Sequence, residues 1–198
     1  MEERTLEALI VFSNPSSFGP GTSTHGYIRY LCNWTSASQP SFLIIPRKEK
    51  PTLFVPSGPD FPSAQERTNI PNIIVSSVNK YGYESSRILK KANKTGCKMG
   101  VIGREEIPFT IYQELVDGLS KVHFEDANDI LDDLRMIKSE KEIQLLRDAA
   151  SISDKMFNHL LEIAAEGWWG YQAMAKMEGL AKVQGAEYAK TWLISKPV

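Results

Sequence analysis

The chain has 198 residues, 42% of them apolar and 24% charged, with a formal net charge of −1. That length suits one large domain or one domain with a further piece, and the composition is that of a globular protein with a core. The charge balance leaves no electrostatic footprint for nucleic acid or an anionic membrane, and no apolar run approaches the ~18 residues of a membrane span.

Cys32 and Cys97 are two thiols far apart in sequence. In a chain with an ordinary core they read as reduced cysteines of a cytoplasmic protein rather than as a disulfide framework. The start, Met1-Glu2-Glu3-Arg4, is polar and acidic, unlike a signal peptide.

The first ~130 residues mix strand and helix patterns. Ala8-Leu9-Ile10-Val11-Phe12 is a strand-type apolar run closed by Ser13-Asn14-Pro15. A polar, Gly-rich connection over 16–26 follows. Tyr27-Ile28-Arg29-Tyr30-Leu31, leading to Cys32-Asn33-Trp34, reads as a helical turn or a strand end. Ser41-Phe42-Leu43-Ile44-Ile45 and Thr52-Leu53-Phe54-Val55 are strands. Pro46 and Pro51 bracket the charged turn between them, which makes a hairpin.

Further on, 72–75 is a strand and 83–93 a helix with Ile88, Leu89 and Ala92 on one face and Gly96 as its stop. A strand over 99–103 is apolar enough to be buried on both sides. A helix over 108–119 carries Pro108 in its first turn and turns Tyr112, Leu115, Val116 and Leu119 inward. A last short strand covers 122–125. Together these predict an α/β domain, a mixed β-sheet with flanking helices, over residues 1–130.

The acidic stretch Asp126, Asp129, Asp132, Asp133 marks the predicted boundary. Beyond it, Ser139 and Glu142 have capping-box spacing, in which each side chain satisfies a free backbone donor at the other's position. Ile143, Leu146, Ala149, Ala150, Phe157, Leu160, Leu161 and Ala164 then recur near the helical period. The helix should run to about residue 165 and stop at Gly167, ~26 residues and roughly 40 Å long. A second helix over 171–183 ends at Gly185, and 188–194 reads as a strand.

With these residues assembled, the chain resembles the creatinase, prolidase and Xaa-Pro aminopeptidase family, metallohydrolases of the pita-bread fold. Tyr27-Ile28-Arg29-Tyr30-Leu31-Cys32-Asn33-Trp34 is similar to that family's Asn-Ile-Arg-Tyr-Leu-Thr-Gly-Phe segment. Leu134-Arg135-Met136-Ile137-Lys138-Ser139, with Glu142-Ile143 and Leu146-Arg147-Asp148-Ala149-Ala150, resembles the start of its catalytic domain and is the most specific match. The helix after Gly167, then Gly185-Ala186-Glu187 and Trp192-Leu193-Ile194-Ser195, fit the next elements.

The resemblance implies a creatinase-type N-terminal α/β domain over 1–130 that helps assemble homodimers. Residues 131–198 would then be the first elements of a truncated α+β pita-bread domain: two helices and one strand. In most family members two Asp, one His and two Glu hold two divalent metals (Mn, Co or Zn), whose bridging water attacks the carbonyl before proline. Creatinase itself works without metal, using a His. The substrates are small peptides or small amides. All five ligands come from strands beyond the first pita-bread strand, so carry-over finds no metal or catalytic residue in this chain. The family's Ser-Gly turn after that strand falls near Ser195, where Lys196 and Pro197 stand.

Local candidates for another site are weaker. His123 and Glu125 share a strand face near Asp126 and Asp129, but no third convergent ligand is assignable, and a strand end running into a solvated acidic linker is the simpler reading. His159 and Glu162 share a helix face at i, i+3, like some di-iron ligands in reverse order, without a second such pair. Gly19, Gly21 and Gly26 suggest a phosphate loop, yet Tyr27 follows where Lys-Ser/Thr is required. Gly100 with Gly103 makes no dinucleotide fingerprint. Cys32 reads as a small buried hydrophobe.

Arg29, Tyr30 and Trp34 are the remaining candidates, because in the family one subunit's N-terminal domain can border the partner's active site. A polar, mobile-looking stretch over 35–39 follows Trp34. They read either as substrate-rim residues or as core and dimer-interface aromatics. Trp168 and Trp169, being adjacent, point to different sides. The expectation is the N-terminal, oligomerisation-type portion of a Xaa-Pro peptidase or creatinase-like metallohydrolase, lacking its metal-binding half, inactive alone and dimerising through helices 139–165 and 171–184. The alternative is a complete non-catalytic binding or oligomerisation module of the same fold.

Overall fold

The computed structural model describes residues 1–15, 25–93 and 96–193. The chain divides into two compact units, Met1–Leu134 and Arg135–Val198.

The first unit is built on a six-stranded mixed sheet of order β4-β3-β2-β1-β5-β6. Its strands are β1 (Leu6–Ser13), β2 (Ser41–Pro46), β3 (Thr52–Val55), β4 (Asn72–Val75), β5 (Cys97–Ile102) and β6 (Val122–Asp126). β1–β2 and β2–β3 are antiparallel, so the hairpin read around the bracketing prolines is present. β1–β5, β3–β4 and β5–β6 are parallel.

β1 is central and almost wholly buried because its side chains serve two cores. Leu9 and Val11 join one apolar cluster, and Ala8, Ile10 and Phe12 join the other. Helices cover both faces, which is why the strands read as continuous apolar runs rather than alternating ones. The helices α1 (His25–Cys32), α2 (Asp60–Arg67) and α5 (Asn128–Met136) contribute Ile28, Ala64 and Leu131 to the first cluster. The helices α3 (Tyr81–Leu89) and α4 (Phe109–Gly118) contribute Tyr81, Leu89, Ile111 and Leu115 to the second.

The structure corrects several boundaries. Residues 27–31, left open between helix and strand, are helical within α1. The helix expected over 83–93 starts at Tyr81 and gives way after Leu89 to a 3-10 turn, Lys90–Ala92. Gly96, the expected stop, has φ +82°. α2 was not anticipated, since Ala64 is its single buried residue. The acidic stretch read as a linker is ordered as α5: the Asp126 carboxylate accepts the Asn128 N–H at 2.8 Å, and Leu131 is buried among the strands. Gly19 and Gly21, two of the glycines for which a phosphate loop was weighed and set aside, lie outside the described residues.

The second unit contains α6 (Glu140–Ile163) and α7 (Gly170–Val183). The capping box is formed: the Ser139 hydroxyl accepts the Glu142 N–H at 3.4 Å, and the Glu142 carboxylate accepts the Ser139 N–H at 2.8 Å. Those bonds hold the Glu142 carboxyl below its ordinary range. Gly185, the expected stop of the second helix, has φ +92°. Residues 188–193 are not a strand. A strand requires a neighbour to complete its ladder, and the described part of this unit has no other. The Thr191 N–H instead donates to the Glu178 carboxylate at 2.8 Å. Ile194 and the turn expected near Ser195 lie outside the described residues.

Tyr81 supplies a test of the second cluster. Its ring is fully buried and its hydroxyl donates to the Pro40 carbonyl at 3.1 Å. Burial, with the charge of Asp60 behind it, pushes the phenol above its ordinary pKa. The folded state therefore keeps this proton after the unfolded chain has begun to lose it. Its contribution is complete below the unfolded value of about 10 and declines as pH rises beyond it. Stability measured by urea titration should fall between about pH 9 and 11, and Tyr81→Phe should flatten that fall.

Candidate functional site

The sequence-derived candidates sit on α1 and just after it. Ser13 at the end of β1 accepts the Ile28 N–H at 3.0 Å, which anchors the helix to the sheet. Tyr27 donates to the Asp132 carboxylate at 3.4 Å and Tyr30 to the Leu134 carbonyl at 3.2 Å, so the two phenols tie α1 to α5. α1 closes at Asn33, whose φ of +56° turns the chain and whose N–H bonds the Arg29 carbonyl at 2.9 Å. Asn tolerates that left-handed conformation better than most residues.

The three candidates do not face one place. Arg29 is half-buried. Tyr30 is 40% exposed with its hydroxyl engaged. Trp34 is 2% exposed, within the first core cluster, and its indole N–H donates to the Ser63 hydroxyl at 3.3 Å. In the stretch 35–39, read as polar and mobile-looking, Ala37, Ser38 and Gln39 are exposed, while buried Ser36 anchors it: its hydroxyl accepts the Ser38 and Gln39 N–H groups at 3.4 Å. Cys32 is buried, its thiol donates to the Ile28 carbonyl at 3.1 Å, and burial pushes its pKa up. A buried protonated thiol is a packing group rather than a nucleophile.

The acidic candidates are organised by a residue that sequence reasoning passed over. Arg4 Nε donates to Glu125 at 3.0 Å, and one of its Nη groups donates to both Asp129 oxygens at 2.7 and 2.9 Å. The other meets the Asp126 carbonyl. Asp129 and Glu125 hold the guanidinium above its ordinary pKa. Lys98 adds a second cation 3.8 Å from Glu125. Glu125 is thus committed to cations, while His123 on the same strand is exposed. His159 and Glu162 lie 3.9 Å apart on α6. Among the described residues no three of His, Cys, Asp and Glu converge as metal ligands, so these side chains do not fit a two-metal centre.

A cleft of about 330 Å³ opens among Glu7, Arg47, Lys48, Glu49, Lys91 and Cys97. Its charges are mixed, and Arg47 pairs with Glu7 at 3.8 Å. No described residue there pairs a nucleophile with a base. No helix among the described residues is long and apolar enough to cross a membrane.

Residues 1–137 match the family described as the creatinase/prolidase N-terminal domain. The chain belongs to that family. Its mixed six-stranded sheet with flanking helices is the fold of this creatinase/prolidase domain. The likeness runs further along the chain. The Xaa-Pro dipeptidase of Pyrococcus furiosus is 28% identical over 187 residues, which is 94% of this chain and 50% of the relative. The crystal structure of the prolidase from Pyrococcus horikoshii superposes with a TM-score of 0.70 at 26% identity, over 94% of this chain and 47% of that one. The X-Pro aminopeptidase from Thermotoga maritima gives a TM-score of 0.75 at 16% identity, a likeness of fold. The chain spans about half the length of these relatives, and because 187 residues exceed the first unit, the likeness takes in the second as well.

Proposed function

We propose that this chain is the N-terminal, oligomerisation-type portion of a hydrolase acting on Xaa-Pro dipeptides or similar small amides, and that it does not hydrolyse them unaided. The observation that carries the reading is the conjunction of a creatinase/prolidase N-terminal domain over 1–137 with the lack of three convergent ligand side chains among the described residues. In the whole enzyme, two divalent metals such as Mn, Co or Zn would supply an activated water, held by residues other than those described here. What these residues do is structural: they build the sheet and present surfaces. The protein acts as a cytoplasmic homodimer in this reading, with reduced Cys32 and Cys97.

The second unit supports it energetically. Leu145, Leu146, Phe157, Leu161, Trp169 and Tyr171 are each more than half exposed. A few hundred Å² of such surface left in water costs on the order of 5–10 kcal/mol. That is comparable with a domain's whole stability, so further polypeptide or a partner must cover it.

The test is direct. The purified chain is incubated with manganese, cobalt or zinc and an Xaa-Pro dipeptide, and proline release is followed beside a full-length prolidase. Release at the level of the metal-only blank is expected. Turnover by the chain alone, abolished by a chelator, would overturn the reading.

A further inference from the structure

We propose that the cleft beside the β2–β3 turn is a binding site for a short zwitterionic peptide carrying an aliphatic side chain. The cleft lies wholly within the first unit, so its occupancy does not depend on any hydrolytic activity.

Its walls are fixed by the fold. The end of β2 with the turn after it, the end of α3 with its 3-10 turn, and the start of β5 meet here. Pro46 pairs in register with Ala8, and the Arg47 N–H donates to the Glu7 carbonyl at 2.8 Å, which ties the turn to β1. Leu89 is 2% exposed within the second cluster, and Ile88 packs against that cluster. Between these elements stands a concavity of about 330 Å³. That volume is at the lower end of the ~300–1,000 Å³ range of small-molecule sites.

The lining combines apolar Pro46, Ile88 and Leu89 with charges of both signs. These charges are not equivalent. Arg47 and Glu7 answer each other at 3.8 Å. Lys48, Glu49 and Lys91 are exposed, and none of them is ion-paired with a described residue. Two cations and one carboxylate thus border the same concavity without compensation. A ligand carrying both signs answers all three. Lys48 and Lys91 take its carboxylate, Glu49 takes its ammonium, and Ile88 and Leu89 take its hydrocarbon. A short peptide holds these features in one molecule, with opposite charges at its ends and side chains between. A plain anion would be opposed by Glu49, and an uncharged apolar molecule would leave all three charges unanswered.

Cys97 lines the cleft and is half-buried, whereas Cys32 is buried. A ligand in the cleft therefore shields the Cys97 thiol, which serves as its reporter.

Calorimetric titration of the 198-residue chain with leucyl-leucine, which has no bond to proline, measures the binding. Iodoacetamide labelling read by mass spectrometry measures the shielding of Cys97. Saturable binding with a Kd below about 1 mM is expected, with slower labelling of Cys97. N-acetyl-leucyl-leucine, which lacks the ammonium, and leucyl-leucinamide, which lacks the carboxylate, should each bind about fivefold more weakly. Glycylglycine, without the aliphatic groups, should bind more weakly than leucyl-leucine. Lys91→Gln and Glu49→Gln, both at exposed positions and checked for folding by circular dichroism, should each cost leucyl-leucine about fivefold. Glu49→Gln should leave binding of the acetylated peptide unweakened, because the group it would meet is gone. No saturable binding up to about 10 mM overturns the site. Binding that neither slows Cys97 labelling nor responds to Lys91→Gln overturns this location. An acetylated peptide that binds as tightly as leucyl-leucine overturns the zwitterion as its ligand.

Discussion

Phe42→Ala is expected to remove about 3–5 kcal/mol from the first unit. Phe42 is fully buried on β2. Its ring meets Phe12 at 6.2 Å and 73°, Phe54 at 6.5 Å and 75°, and Tyr81 at 5.7 Å and 38°. Near-perpendicular pairs set the positive edge of one ring against the negative face of the next and add to the burial itself. The neighbours cannot collapse into the vacated space, because Phe12 and Phe54 are held by the strands on either side of β2. The cost is therefore lost transfer energy plus a cavity. Against a total of ~5–15 kcal/mol, a loss of this size leaves the unit marginal or unfolded at 37 °C. Urea titration followed by tyrosine fluorescence measures it, with Phe42→Leu as the milder comparison. An alanine variant within about 1 kcal/mol of wild type would show that this cluster does not hold the sheet together.

This core was readable in the sequence for a physical reason. Strands covered on both faces need apolar side chains at every position, and Ala8-Leu9-Ile10-Val11-Phe12 supplies them without interruption. α6 was readable because Ser139 and Glu142 announce its start by a local hydrogen-bond exchange that depends on spacing alone. α2 was not readable: a helix that buries only Ala64 has almost no apolar period to detect. Residues 188–193 misled in the opposite sense. Tyr188, Thr191 and Trp192 favour strands, yet propensity cannot supply the neighbouring strand that a ladder needs.

The candidate site was legible only in part. The aromatic character of Tyr30 and Trp34 marked them as notable but carried no direction. Only the fold places Trp34 inside the cluster, with its indole on Ser63, and Tyr30 at the surface bound to the Leu134 carbonyl. Arg4 was invisible for a different reason. Its partners Glu125 and Asp129 lie 121 and 125 residues away, and no local pattern announces an ion pair formed because β1, β5 and β6 run parallel side by side.

Gly82→Ala carries the second large effect, and there two opposing terms must be weighed. In an exposed helix the substitution stabilises by roughly 0.5–1 kcal/mol, because alanine gives up less backbone freedom. Gly179 on α7 is such a position: it is exposed and a Cβ there would meet nothing within 4 Å. Gly82 on α3 is the opposite case. A Cβ there would overlap the Ile111 carbonyl oxygen and stand 2.8 Å from the Glu114 Cβ, both on α4. Neither is the free end of a flexible side chain. The same pair of helices meets again one turn on, where a Cβ on Gly118 would overlap Ser86. α3 and α4 therefore touch nearly backbone to backbone, and α4 must retreat if Gly82 gains a side chain. Retreat would loosen Ile111, Leu115 and Leu119, which α4 and its end bury in the second cluster. It would also strain the bond from the Tyr83 N–H to the Glu114 carboxylate, 3.2 Å in the native chain. Overpacking of this kind costs about 1–3 kcal/mol, which exceeds the helix gain, so the net effect is destabilising. Gly82→Val should cost more than Gly82→Ala, since its second branch meets the same wall. Hydrogen exchange resolves the two units separately: amides of α3 and α4 should lose protection in Gly82→Ala, while those of α7 should gain it in Gly179→Ala. A Gly82→Ala protein as protected as wild type would mean that the close contact of these helices is absent in solution, and with it the reason for glycine at this position.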